Sequence, residues 1–254
     1  MRIFSYNVNG LRAAQAKGFN EWLRKTGPDI ICLQETKIQE GQADTAVLSS
    51  MGYHHYWSYA VKKGYSGVAI LTKEKPDYVE YGMGISKYDD EGRIIRADYG
   101  DISVMCVYIP SGSMGDVRQE FKMEFLRDFK EFISKVRLKR PKLIVSGDYN
   151  ICHKPIDINH PERHEDVSGF LPEERAWFDE FVKTGMIDSF RHFNSESGQY
   201  SWWSYRANSR EKNLGWRIDY HLVTDSLMAK LRNAGILSHV IHSDHCPVTV
   251  DVDF

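Results

Sequence analysis

The sequence predicts an α/β protein in which two β-sheets pack face to face and carry helices on their outer sides. Short apolar segments typical of buried strands recur along the 254 residues and alternate with segments of helical periodicity. The two halves also look alike, since strand 2–6 leads into the polar residues 7–9 and strand 143–146 leads into the polar residues 148–150. A pair of similar sheets of this kind buries its outer faces under helices.

The composition is that of an ordinary globular protein. Hydrophobic residues make up 42% of the chain and charged residues 27%, which excludes collagen-like, disordered and coiled-coil proteins. No apolar run approaches the roughly 18 residues of a membrane helix, so no membrane partner is expected. Because no linker or composition break divides the chain, we expect a single domain over residues 1–254.

The N-terminus lacks the apolar segment of a signal peptide. The four cysteines, at positions 32, 106, 152 and 246, form no Cys-x-x-Cys motif. We therefore expect reduced thiols and a cytoplasmic location, associated with the nucleoid if the source is prokaryotic.

In the first half, strand 2–6 precedes a helix over 12–26, whose apolar face holds Phe19, Trp22 and Leu23 and which ends at Gly27-Pro28. The apolar run 30–33 predicts a buried strand, and a helix near 42–51 ends at Gly52. Further strands are predicted at 53–59, 67–72, 78–82, 94–99 and 102–109.

The clearest helix covers 117–138, where five apolar residues recur at steps of three and four and predict a core-facing stripe. These are Phe121, Phe125, Phe129, Phe132 and Val136. Pro172 opens a second helix that runs to about 184, with Trp177, Phe178 and Phe181 facing inward. Strands are predicted at 143–145 and near 200–203, 217–223, 233–238 and 247–252. The polar stretches 153–169 and 204–215 show no periodicity, which is typical of long functional loops.

Polar residues stand at the ends of several predicted strands, where one rim of the sandwich could bring them together. Each alone is typical of a turn. Together they supply carboxylates, amides, a histidine and a tyrosine, and oxygen-rich sets of this kind suit Mg²⁺ or Mn²⁺. The residues are Asn7, Asn9, Glu35, Tyr108, Asp148, Asn150, Asp219, Asp244 and His245.

Such a rim is suited to phosphodiester hydrolysis, with a carboxylate as the base and a metal and histidine stabilising phosphate charge. Three competing chemistries are less well supported. The cluster His242-Ser243-Asp244-His245-Cys246 lacks a second ligand pair at zinc spacing. No Gly-x-Ser-x-Gly elbow is present, and residues 64–67 lack the lysine of a phosphate-binding loop.

Six motifs in this order resemble the exonuclease III branch of AP endonucleases, within the endonuclease/exonuclease/phosphatase superfamily, over the whole chain. They are Asn7-x-Asn9-Gly10-Leu11-Arg12, Leu33-Gln34-Glu35-Thr36-Lys37, Gly147-Asp148-Tyr149-Asn150, Gly169-Phe170-Leu171-Pro172-x-Glu174-Arg175-Ala176-Trp177, Gly215-Trp216-Arg217-Ile218-Asp219-Tyr220 and Ser243-Asp244-His245-Cys246-Pro247.

The resemblance implies a four-layered α/β sandwich, built from two packed mixed β-sheets flanked by helices. It implies a monomer that uses Mg²⁺ to cleave duplex DNA 5′ to abasic sites, with 3′-repair and 3′→5′ exonuclease activities. Two alternatives remain: a non-catalytic nucleic-acid-binding regulator of the same fold, and a superfamily phosphodiesterase acting on another phosphate ester.

Carried over residue by residue, the resemblance makes Glu35 the main metal ligand, with Asn7 nearby and Asp244 at the metal-side edge. Asp148 becomes the general base. Four residues are expected to act on or near the scissile phosphate: Asn150, Tyr108, His245 and, by orienting His245, Asp219. The chain departs from many relatives at Asn9, where they have Asp, and at Ser111, where they have Asn or Gln.

Predicted DNA contacts concentrate in residues 202–217, where aromatic and basic side chains interleave. Of Trp202 and Trp203, one is expected to face the core, because neighbours on a strand point to opposite faces. By resemblance, Trp202 and Trp216 form the abasic pocket. The predicted phosphate contacts are Arg206, Arg210, Lys212 and Arg217, together with Lys37 and Arg12 from the first two motifs.

Overall fold

The computed structural model describes residues 1–253, which form fourteen strands and seven α-helices. In chain order the elements of the first half are Arg2–Asn7 (β1), Leu11–Ala16 (α1), Phe19–Thr26 (α2), Ile30–Gln34 (β2), Thr45–Ser50 (α3), His54–Ser58 (β3), Val68–Thr72 (β4), Tyr78–Tyr81 (β5), Ser86–Asp89 (α4), Ile94–Tyr99 (β6), Ile102–Tyr108 (β7) and Asp116–Lys139 (α5). They continue as Lys142–Asp148 (β8), Pro172–Lys183 (α6), Met186–Asp188 (β9), Ser189–Phe193 (α7), Trp202–Trp203 (β10), Gly215–Trp216 (β11), Asp219–Thr224 (β12), Leu231–Ile236 (β13) and Val248–Val252 (β14).

Two six-stranded mixed sheets form the centre of the fold. The first sheet has the order β13-β14-β1-β2-β4-β3, and the second has the order β5-β6-β7-β8-β12-β9. Within each sheet one central pair is parallel, β1 with β2 and β7 with β8, while the other pairs are antiparallel. The predicted likeness of the two halves is therefore a real feature of the sheets.

Strand alternation sorts the apolar side chains into three layers of core. In β2, Ile30 and Cys32 point between the sheets, whereas Ile31 and Leu33 pack under α1, α2 and α3. Helices α5 and α6 cover the outer face of the second sheet. The four-layered α/β sandwich is confirmed.

The register of the strands brings the predicted polar ends together. Asn7 lies opposite Gln34 at the end of the parallel pair in the first sheet. In the second sheet Asp148 lies opposite both Tyr108 and Asp219. Because these strand ends lie at the same edge of the two packed sheets, their side chains meet across one rim.

The predicted helix over 12–26 is wrong as a continuous element. It breaks into α1 and α2 at Gly18, whose φ of 96° lies in the region that favours glycine. The strand predicted at 217–223 corresponds to β12. The remaining predicted boundaries differ from the observed ones by a few residues. Four short elements were not predicted: α4, β9, α7 and β11.

Along α5, Phe125, Phe129 and Val136 are buried as predicted, while Phe121 and Phe132 are partly buried. All four cysteines are buried and free of disulfides. Among residues 1–253 no helix is long and apolar enough to cross a bilayer.

Candidate active site

A cleft of about 460 Å³ opens at the rim where the two sheets meet. Its walls come from loops that follow strands of both sheets, so polar strand ends face apolar and aromatic side chains across it. The lining residues are Asn9, Glu35, Lys37, Tyr108, Ser111, Ser113, Asn150, Val167, Ser168, Gly169, Trp202, Trp216, Ile218, Asp244 and His245.

Asn7 bridges the two sheets beneath this cleft. Its amide nitrogen donates to Glu35 Oε1 and to Asp148 Oδ2, each at 2.8 Å, and its side chain is fully buried. The amide oxygen, the atom that could bind a cation, accepts a hydrogen bond from the backbone of Asn9 at 3.0 Å. Asn7 therefore holds two carboxylates from different sheets close together.

Four residues around the cleft have left-handed backbone conformations that are uncommon outside glycine. The φ angles are 45° at Asn9, 49° at Glu35, 53° at Lys37 and 50° at Asn150. Such conformations carry strain and persist where surrounding contacts impose them, which is typical of functional sites.

His245 and Asp219 form a buried pair on the opposite side of Asp148. His245 Nδ1 donates to Asp219 Oδ2 at 2.9 Å, and Ser201 Oγ donates to the same oxygen at 2.7 Å. This arrangement turns His245 Nε2 toward Asp148 Oδ2, which lies 3.9 Å away. Asp219 thus fixes the orientation of the imidazole and favours its charged form.

The charges of this cluster perturb one another strongly. Burial and the nearby Asp219 carboxylate raise the pKa of Asp148 to about 7, although His245 opposes the shift. Burial disfavours the imidazolium of His245, but the carboxylates of Asp219 and Asp148 outweigh it and raise its pKa to about 10. His245 is therefore cationic at neutral pH, and the carboxyl group of Asp148 beside it has a pKa of about 7.

Glu35 and Tyr108 complete the rim. Burial raises the pKa of Glu35, but the Lys37 ammonium, 2.8 Å from Glu35 Oε2, outweighs burial and holds it below its usual value. Burial, with the charge of Glu35, raises the pKa of Tyr108, so its hydroxyl remains a donor. Arg93 supports this tyrosine, stacking 4.7 Å from its ring centre.

Glu35, Asp148 and His245 can present one ligand atom each within 4.8 Å of one another. Two of the three are carboxylates, the donors that hard divalent cations prefer, so the residues present fit such an ion. Asp244 is engaged elsewhere, since it accepts from Asn9 at 2.9 Å and from Trp202 Nε1 at 3.0 Å. Its predicted place at the metal-side edge stays a prediction.

Trp202 and Trp216 form an aromatic wall at the far side of the cleft. Their rings meet edge to face with centres 5.9 Å apart, and both are partly buried. Trp203 is buried instead, packing with Tyr200 and Cys246, which confirms that one of the adjacent tryptophans belongs to the core. The wall thus places apolar surface directly beside the charged cluster.

Two of the predicted DNA contacts are corrected. Arg217 is only 1% exposed and its guanidinium binds Asp157 and Asp188, so it cannot reach a phosphate. Arg210 donates to the backbone carbonyls of Ser243, Ser238 and Val240, which makes it a support for the loop before β14. The remaining predicted contacts, Arg206, Lys212 and Arg12, are exposed, and Lys37 is half-buried at the cleft.

Sequence reasoning missed several residues that shape the site. Ser201 binds Asp219, Arg93 backs Tyr108, and Lys122 with Glu174 lies beneath Asn150. Glu174 stood within a recognised motif, whereas the other three carried no local signal, because their roles depend on contacts between distant segments.

Residues 4–245 match the Endonuclease/Exonuclease/phosphatase family. The chain is 44% identical over 255 residues to an exodeoxyribonuclease of Bacillus subtilis (strain 168), with all of both chains covered. It is 38% identical to a DNA-(apurinic or apyrimidinic site) endonuclease of Dictyostelium discoideum, covering 100% of this chain and 71% of that protein. Among solved structures, the 3′ phosphatase NExo from Neisseria, bound to a product DNA hairpin, superposes with a TM-score of 0.92 at 31% identity, with both chains fully covered. The chain therefore belongs to the Endonuclease/Exonuclease/phosphatase family, in its exonuclease III branch.

Proposed function

We propose that this protein is a Mg²⁺-dependent DNA-repair nuclease that hydrolyses the phosphodiester 5′ to abasic sites in duplex DNA, with 3′-repair diesterase and 3′→5′ exonuclease activities. One observation carries the proposal: His245, which lies between Asp148 and Asp219, lines the same cleft as Trp202 and Trp216. Relatives named as abasic-site endonuclease and as exodeoxyribonuclease support it.

Asp148 acts as the general base. Its pKa is about 7, so a substantial fraction of the group is ionised at neutral pH. The same pKa makes the carboxylate a stronger base toward water than an ordinary aspartate. Asn150 assists, because its backbone N–H donates to Asp148 Oδ1 at 2.8 Å and fixes the carboxylate's orientation.

A divalent cation would be held mainly by Glu35, with Asp148 and His245 facing the same space. When bound, Mg²⁺ supplies Lewis-acid stabilisation of charge on the phosphate oxygens. Asn7 keeps the two carboxylates in place through the two hydrogen bonds that its amide nitrogen donates.

His245 and Tyr108 stabilise the phosphate. The cationic imidazole points Nε2 into the cleft, and the protonated phenol of Tyr108 lines the same space. Fixed donors of this kind stabilise the charge that develops in the transition state without reorganisation.

The aromatic wall selects the substrate. Trp202 and Trp216 offer an apolar surface against which a deoxyribose without a base can pack once it leaves the helix. Exposed basic residues outside the cleft, Arg206, Lys212 and Arg12, hold the flanking phosphates.

The direct test is nicking of a duplex oligonucleotide that carries one abasic site. We expect cleavage 5′ to the site with Mg²⁺, none with EDTA, and recovery when Mg²⁺ is restored. Glu35→Ala should require more Mg²⁺ for the same rate while binding the duplex as tightly. Binding without cleavage would identify a non-catalytic regulator, and hydrolysis of only small phosphate esters would identify a different phosphodiesterase.

A further inference from the structure

A buried ion pair lies behind the cleft, between α5 and the first turn of α6. Lys122 and Glu174 are both 0% exposed and are bonded to each other. The Lys122 ammonium also donates to the backbone carbonyl of Asn150 at 2.8 Å. This carbonyl belongs to one of the residues with left-handed backbone, so Lys122 holds a strained segment that directly follows Asp148.

Glu174 fixes a second segment of the cleft. One of its carboxylate oxygens accepts from the backbone N–H groups of Gly169 at 2.6 Å and of Leu171 at 3.1 Å. The other oxygen accepts from Gln119 of α5 at 3.1 Å. The loop that lines the cleft at Gly169 is therefore tied to α5 through one carboxylate.

Gly169 passes this constraint to the aromatic wall. It packs so closely against the Trp216 ring that a Cβ atom there would lie 2.8 Å from a ring carbon. Its carbonyl also accepts from the backbone N–H of Cys152 at 2.7 Å, which joins the loop to the segment after Asn150. The same ion pair thus fixes the position of Asn150 directly and that of Trp216 through Gly169.

Stability alone does not call for this pair. Apolar residues of similar volume commonly replace a buried ion pair without loss of stability. Two charges, however, can bind three backbone groups in two loops at once, which apolar side chains cannot do. We therefore interpret these contacts as holding the two loops in position.

We propose that Lys122 and Glu174 are positioning residues for abasic-site cleavage, acting through Asn150 and the Trp216 wall. The inference rests on the function proposed above. It predicts that removing both charges together leaves the fold intact while the chemical step and the selection of abasic sites are both impaired.

The test compares the double variant Lys122→Met/Glu174→Leu with the full-length wild type on abasic and intact duplexes, with Mg²⁺. We expect a folded protein by circular dichroism with a lowered melting temperature, because the backbone groups of Asn150, Gly169 and Leu171 lose their partners. The value of kcat should fall by about 10²-fold with little change in KM, because a small displacement of reacting groups has that effect. Preference for the abasic duplex should also weaken. Glu174→Gln, which leaves Lys122 bonded to Asn150, should lose less.

Phe129→Leu is the matched control, since Phe129 is buried on α5 and packs against Phe125 of the same helix and Phe181 of α6. It should lower the melting temperature and leave kcat unchanged. If the double variant keeps the wild-type kcat and selectivity, or if Phe129→Leu loses as much activity, the positioning role is wrong. If the wild type nicks the abasic duplex in the same assay, the proposed nuclease function holds even where the positioning role of Lys122 and Glu174 fails.

Discussion

Asp148 lies close to two other carboxyl groups, those of Glu35 and Asp219, and to the imidazole of His245. Asn7 joins Asp148 to Glu35, and His245 lies between Asp148 and Asp219. Buried like charges destabilise a fold unless they are compensated. Lys37 and the cationic His245 compensate Glu35 and Asp219, so the cost falls on the ionised form of Asp148, whose pKa is raised.

Asp148→Asn tests the base directly. The substitution keeps the shape of the side chain but cannot take a proton, so the single-turnover rate on an abasic duplex should fall by about 10²–10⁴-fold. Binding of that duplex, measured by fluorescence anisotropy, should survive. A variant that cleaves at the wild-type rate would exclude Asp148 as the base.

The same variant should be more stable than the wild type in EDTA at pH 8. The pKa of Asp148 is raised to about 7 in the folded protein, so the folded state binds a proton more tightly than the unfolded state. Stability contributed by this group is therefore lost as the pH rises from about 4 to about 7. Thermal melting at pH 5 and pH 8 should show the advantage of Asp148→Asn mainly at pH 8. An equal effect at both pH values would contradict the raised pKa.

Asp219 and His245 should behave as one unit. His245→Ala removes the imidazole, whereas Asp219→Ala removes only the group that orients it and should lower the rate less. Combining the two should add little to His245→Ala alone, because orienting a missing side chain has no effect. Single-turnover rates of the three variants measure this coupling. Additive losses would show that Asp219 acts independently of His245.

At the scale of elements, the sequence predicted the long periodic segments well. Strands 94–99 and 102–109 and the α5 stripe follow from alternation and from three- and four-residue steps, which are local properties. β9 and β11 have three and two residues, too few to show a period. They form because β12 lies beside β9 and β10 lies beside β11.

In the candidate site, too, local features could be predicted from the sequence, whereas features that depend on distant segments could not. Polar residues at strand ends could be recognised from the sequence, because parallel strands place their carboxyl ends at one edge. The burial of Arg217 could not, since it depends on Asp157 and Asp188, which come from two other segments. An arginine among aromatic residues has the same local pattern whether it faces DNA or the core.

Arg217→Met should therefore destabilise the fold instead of weakening DNA contacts. It leaves Asp188 without its buried partner and Asp157 with Arg191 alone, and breaking a buried pair typically costs about 3–5 kcal/mol. Burial alone would raise the pKa of Asp157, but Arg217 outweighs it and holds that pKa below the usual value. This stabilisation is present above the unfolded pKa of about 4 and is lost as the pH falls through the lower folded pKa.

Urea unfolding at pH 7 and pH 3 provides the measurement. The difference between Arg217→Met and the wild type should be large at pH 7 and smaller at pH 3. The exposed pair of Arg232 and Asp253 is the control, because Arg232→Met should change stability by less than about 1 kcal/mol. A stable Arg217→Met variant with weaker DNA binding would restore the original prediction of a DNA contact.

At the scale of the whole molecule, the formal net charge of −2 provides no general attraction for DNA. Binding must instead depend on basic side chains located near the cleft. Arg12, Arg206 and Lys212 are exposed, and Lys37 lies at the edge of the cleft. Each phosphate neutralised by such a side chain releases counterions and makes the affinity depend on salt.

Four to six phosphate contacts predict a slope of about −4 to −5 for the logarithm of the association constant against the logarithm of salt concentration. Fluorescence anisotropy with an abasic duplex, in EDTA to prevent cleavage, measures it. Arg206→Ala/Lys212→Ala should weaken binding and make the slope shallower by about 0.9 for each phosphate that is no longer neutralised. Arg232→Ala should leave the slope unchanged, because β13 begins at the end of the first sheet away from the cleft. A wild-type slope near zero would mean that contacts with phosphates do not drive binding. If Arg232→Ala changed the slope as much as Arg206→Ala/Lys212→Ala, the basic residues would act through the total charge of the protein and not through their position beside the cleft.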